Sequence, residues 1–216
     1  TTKRGVNFQV SSSEMPLYTK ALGFVHRHSQ YKLLAEDITY GLESDQDRVL
    51  AVFDWTRQNI KQTPEGWPVV DDHILNIIIR GHGLSDQMAD VFCTLSTYAD
   101  VPAFWSSVRE PQSGEELLLS FARIGVHWVP FDVANGFTFT NTRGRLASLE
   151  ELVHDPRMIA EAVGDAQPAG VSYISYLLAT RPESFRAPDP LRAELQDPWV
   201  RLWYETKRAV VLESQD

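Results

Sequence analysis

The sequence predicts an α+β fold, with helices first and an antiparallel sheet after them. Three observations carry that reading. Helical punctuation fills residues 13–98, short β-type runs bounded by Gly, Pro, Asn or Asp occupy 101–141, and helical signals return behind Ser148. A wound parallel sheet would instead alternate strand and helix along the chain. At 216 residues the chain fits one domain, 1–216, long enough to bury roughly two-thirds of its unfolded surface.

Taken in order, Ser44 with Asp47 three residues later opens a helix over 45–61, where Val49, Val52, Phe53 and Ile60 fall roughly on one face. The apolar segment 72–80 is either a buried helical turn or a strand, and Gly81-His82-Gly83 ends it. A helix over 85–99 follows, with Ser85 at its N-terminus and Ala89, Phe92, Leu95 and Ser96 on its inner face. Strands are expected over 103–108, 117–124, 126–131 and 137–141, the middle two joined in a tight hairpin at Gly125. Ser148 is a good N-cap for a helical stretch starting at Leu149. Residues 164–198 carry Pro168, Pro182, Pro188, Pro190 and Pro198, which suits a looping connection with one short helix over 173–179. A helix over 199–212 closes the chain. Its Trp199, Trp203 and Tyr204 are read as core packing, with a binding surface as the other reading.

Composition narrows the function classes. The net charge is −9, and no Lys/Arg cluster is dense enough to lay a positive stripe along phosphates, so nucleic acid is not an expected partner. One cysteine, Cys93, leaves no internal disulfide and no multi-thiolate zinc site, which fits a reducing, cytoplasmic setting. His26, His28, His73 and His154 show no metal spacing, and no cofactor is expected. No apolar run approaches the roughly 18 residues of a membrane span. The chain begins Thr1-Thr2-Lys3-Arg4 with no apolar signal core behind it, and the absence of a starting Met suggests processing or a piece of something longer.

Two separated blocks carry a family resemblance. The first is Gly83-Leu84-Ser85-Asp86-Gln87-Met88-Ala89, followed by Phe92, Leu95 and Ala99-Asp100-Val101-Pro102-Ala103. The second is Trp128-Val129-Pro130-Phe131-Asp132, then Gly136, Phe137, Phe139, Asn141, Gly144 and Ser148 to Leu152. In order and spacing they resemble the bacterial type of the transglutaminase-like superfamily, whose fold is related to that of papain. The resemblance covers residues 35–152 as a core and leaves 153–216 as a C-terminal helical extension. It implies a Cys at the N-terminus of a central helix, packed on an antiparallel sheet that presents a His and then an Asp. Such a thiol is activated by the helix dipole and the imidazole, which the third group orients.

Carried over residue by residue, the nucleophile position falls on Ser85, the His position on Leu117 and the third position on Asp132. Only Asp132 keeps the family's residue. An alcohol is far less acidic than a thiol, and a helix dipole worth on the order of 1 kcal/mol does not close that gap without a base. Ser85 is therefore read as an N-cap, and Asp132 as an acceptor for backbone or Trp N–H groups. Cys93, eight residues past Ser85 and about 12 Å along the helix, is read as a buried structural thiol. The expectation is a catalytically inactive domain acting as a binding or scaffolding module. Its remnant cleft, with Gly83, Gln87 and Trp128, would hold a peptide, a carrier protein or a glycan. The resemblance also implies, weakly, a role in envelope or polysaccharide metabolism. The alternative is an active acyl-transfer or hydrolytic enzyme using Ser85 with His127 or His82 and Asp132.

Overall fold

The computed structural model describes residues 16–69, 73–180 and 185–213. Thr1 to Arg4, Asp72 and Pro182, on which some of the expectations above fall, lie outside the described residues. The elements run α1 (Leu17–Ile38), α2 (Asp45–Asn59), β1 (Lys61–Gln62), α3 (Ile74–Arg80), β2 (His82–Gly83) and α4 (Ser85–Tyr98). Then come β3 (Ala103–Arg109), β4 (Glu116–Ile124), β5 (His127–Asp132) and β6 (Phe137–Thr138), followed by α5 (Leu149–His154), α6 (Arg157–Val163), α7 (Tyr173–Ala179) and α8 (Pro198–Glu213). Helices precede a four-stranded antiparallel sheet in the order β3-β4-β5-β6, so the α+β class is right.

Local chemistry accounts for most boundaries. Ser44 caps α2 by accepting from Asp47 N–H at 3.0 Å, and Val49, Val52 and Phe53 line its buried face. Within the segment 72–80, Ile74–Arg80 form the helix α3, which ends because Gly81 takes the left-handed conformation at φ 70°. Ser148 and Glu151 exchange backbone bonds at 3.2 and 2.9 Å, a reciprocal cap that starts α5. Gly125, at φ 60°, supplies the turn that pairs Ile124 with His127.

The sheet has a hydrophobic cluster on each face. Residues directly opposite one another across strands share a face, so the register divides them. Ala103 opposite Ala122, with Val129 and Phe131, turns towards α4, α2 and α1, where Phe92, Phe53 and Val52 complete the first cluster. Phe104 opposite Phe121, with Val108, Leu117 and Leu119, turns the other way and packs on Leu149, Leu152, Tyr173, Tyr176 and Leu177.

A strap of chain between α7 and α8 binds both faces. Phe185 packs on Phe104, Phe121 and Trp128, whereas Arg192 reaches Asp90 on α4. The core-packing reading of the last helix fails: Trp199 is 77% and Trp203 72% exposed. The physical reason is that α8 touches the body through its start and one edge, where Asp197 caps it by accepting from Trp199 and Val200 N–H and Arg201 lies over Phe24. Among the described residues no helix is long and apolar enough to cross a membrane, and no group of three or more His, Cys, Asp or Glu is placed to hold a metal ion.

Candidate functional site

The start of α4 brings three short segments together. β1 and β2 pair in parallel, Lys61 with His82 and Gln62 with Gly83, which sets Gln62 beside the first residue of the helix. Leu84 has the extended backbone of an N-cap, and Ser85 is the first helical residue. The N-cap reading of Ser85 is therefore corrected, because capping geometry belongs to the residue whose backbone is still extended. Gln87 does the capping instead: its side-chain oxygen accepts from Leu84 N–H at 3.1 Å and from Arg80 Nη2 at 2.8 Å. Arg80 Nε also donates to the carbonyl of His82 at 2.8 Å, so one guanidinium ties α3, β2 and α4 together. Asp86, in the first turn, places a carboxylate where the helix dipole favours one.

The Ser85 hydroxyl meets Gln62 Nε2 at 3.5 Å, the outer limit of hydrogen bonding, and among the described residues no imidazole bonds to it. His82, three residues away in sequence, has its Nδ1 3.3 Å from the Thr63 hydroxyl and its ring edge-on to the exposed Trp67 at 5.2 Å. His127 lies elsewhere. It opens β5 beyond the hairpin turn, exposed, with Nδ1 3.7 Å from Glu150. Ser120 lies beside Cys93, two turns into α4, and the pair of Ile124 with His127 continues past Ser120 in the direction of the helix C-terminus. Ser85 is at the opposite end of the helix, and His127 pairs with Glu150 instead.

Leu117 and Asp132 are also kept from Ser85, by strand alternation. β4 turns Ser120 and Ala122 towards α4, which puts Leu117, Leu119 and Phe121 on the other face. Leu117 is a core residue of the second cluster rather than a wall opposite Ser85. Asp132, fully buried at the end of β5, faces the second cluster too. Its Oδ2 accepts from the Tyr173 hydroxyl at 2.7 Å and from Asn135 Nδ2 at 2.9 Å, and its Oδ1 from Asn135 N–H at 2.9 Å. The expected backbone donor is present, and a phenol stands where a Trp N–H was anticipated. Burial, then the Asp132 carboxylate, pushes the Tyr173 phenol up, so it stays a donor.

Of the three residues assigned to the cleft, each has a structural job. Trp128 is half-buried against Phe104 and Phe185 on the second face. A Cβ at Gly83 would come within 3.0 Å of Gln87 Cβ, 3.1 Å of Gln87 Oε1 and 3.3 Å of Ile77. Gly83→Ala is expected to cost about 1–3 kcal/mol, read as a lower urea midpoint with an unchanged slope. Cys93 is free and buried beside Ser120, and desolvation pushes its thiol up, as a structural role requires. Sequence reasoning missed Gln62 beside Ser85, Thr63 and Trp67 beside His82, and Asp90 within α4. Asp90 shares its helix face with Asp86, Gln87, Thr94 and Thr97, so helical spacing did not single it out.

No family model matches the sequence, and no curated protein matches it. Among solved structures the chain is similar to a protein provisionally assigned as a cysteine protease from Cytophaga hutchinsonii, with 19% identity over 55% of this chain and 40% of that one, TM-score 0.43. It is also similar to a provisionally assigned protease from Parabacteroides distasonis, 15% identical over 52% and 25% of the two chains, TM-score 0.40. A third is a transglutaminase (TGase), 11% identical over 57% and 34%, TM-score 0.42. The chain spans less than half the length of each. Likeness at this level assigns neither family nor activity; the α+β class rests on the elements themselves.

Proposed function

We propose that this chain is a transglutaminase-like domain that binds its partner without turning it over. One observation carries the reading: the hydroxyl at the start of α4 has a glutamine amide for a neighbour, with no imidazole bonded to it among the described residues. An alcohol nucleophile needs a positioned base, and the two histidines weighed for that part are engaged with Thr63 and Glu150. The binding surface is the rim at the start of α4, where Gln62 and Ser85 offer neutral hydrogen-bonding groups. Its partner is a peptide, a carrier protein or a glycan met in the cytoplasm.

Amine-acceptor transfer and peptidase assays test this. Both are expected at background, with Ser85→Ala indistinguishable from the parent. Robust turnover that Ser85→Ala abolishes would overturn the proposal and make Ser85 a nucleophile.

A further inference from the structure

We infer that the cavity beneath the strap is a binding site for a small hydrophobic amine, held as its ammonium ion by Asp90. The cavity, about 350 Å³, lies between the middle of α4, the start of β3 and the strap, and its walls include Asp90, Cys93, Trp105, Pro190, Arg192 and Leu195. That volume falls within the range of small-molecule sites, as does the pattern of apolar walls with a few converging polar groups. The site is separate from the rim at Ser85 and stands whether or not Ser85 turns over a substrate.

The ligand class follows from how Asp90 is paired. Its side chain is only 13% exposed; Oδ1 accepts from the Trp105 indole N–H at 2.7 Å, and Oδ2 lies 3.1 Å from Arg192 Nη2. A carboxylate this deep requires a cation close by. Arg192 supplies one from the cavity mouth, on a side chain that is itself 66% exposed. Such a guanidinium returns to water at little cost, so an ammonium group can take its place on Oδ2. The body of the ligand, about ten heavy atoms, then fills the space against Leu195, Pro190 and the Trp105 ring, whose face also favours a cation. A carboxylate ligand would meet Asp90 as a like charge, and a neutral alcohol would leave Arg192 where it is.

Calorimetric titration of the intact chain with 2-phenylethylamine, 2-phenylethanol and 3-phenylpropionate tests this. The amine is expected to bind one to one and at least about tenfold tighter than the alcohol. Asp90→Asn is expected to erase that preference. Arg192→Ala removes the competing cation and is expected to tighten amine binding several-fold, an effect that a purely structural ion pair would not produce. Leu195→Trp, which fills the cavity from the half-exposed strap, is expected to abolish binding with the melting temperature retained. Equal binding of amine and alcohol, a preference for the propionate, or no binding of the amine overturns the proposal. If Asp90→Asn fails to fold, the amine-to-alcohol ratio of the parent and the response of Arg192→Ala still decide it.

Discussion

Phe92→Ala is expected to lower the stability of this protein by about 3–5 kcal/mol. Phe92 is fully buried on the inner face of α4, with ring centroids 6.2 Å from Phe53 on α2 and 5.1 Å from Phe131 on β5. Phe53 and Phe131 also touch each other at 5.6 Å, so the three rings join helix, helix and sheet at one point. Truncation removes the apolar surface and leaves a cavity between elements that are each anchored elsewhere and cannot close on it. Urea unfolding followed by circular dichroism reads the effect. A loss below about 1 kcal/mol would show that α4 is not seated on the sheet as described.

Asp132→Ala is expected to cost about 3–4 kcal/mol, through groups that lose their acceptor rather than through lost volume. The Tyr173 hydroxyl and both Asn135 donors converge on this carboxylate, and Tyr173 is itself almost wholly buried. Alanine leaves those donors without a partner where water does not readily reach the phenol. Asn at 132 does not repair the site, because its NH2 group would face donors. Tyr173→Phe removes one donor and keeps the carboxylate and the other two bonds, so its loss should be about 1–2 kcal/mol. A double-mutant cycle between the two positions separates their coupling from the remainder. Comparable losses for Asp132→Ala and Tyr173→Phe would mean that the Asn135 bonds contribute little.

What was legible in the sequence was local. α2 and α5 could be placed because Ser44 and Ser148 announce their starts, with apolar residues at helical spacing behind them. α1 escaped notice as a discrete helix because only Tyr31 and Ala35 are fully buried on it, while Leu17, Tyr18, Leu22 and Leu33 stay exposed and blur any single face. The same division runs through the candidate site. That Ser85 begins the central helix follows from the glycine-rich break before it. The face on which Leu117 lies does not follow from spacing, since it depends on the register of β4 against β3 and β5, and a shift of one residue reverses every side chain. Asp90, Trp105 and Arg192 are brought together from three distant parts of the chain, and no pattern within any one of them foretells the meeting.

The path of the strap bears on solubility. In the strand order β3 stands at the edge of the sheet, seven residues long, and such an edge presents unmatched N–H and C=O groups to any other extended chain. Between Phe185 on one face and Arg192 on the other, the polypeptide passes around that edge near Phe104 and Trp105, carrying Pro188 and Pro190, which have no N–H to offer a newcomer. The segment that reads in sequence as a proline-rich connection thus stands by the start of that edge, near Phe104 and Trp105, while Ser106, Ser107 and Arg109 farther along it stay exposed to an approaching strand.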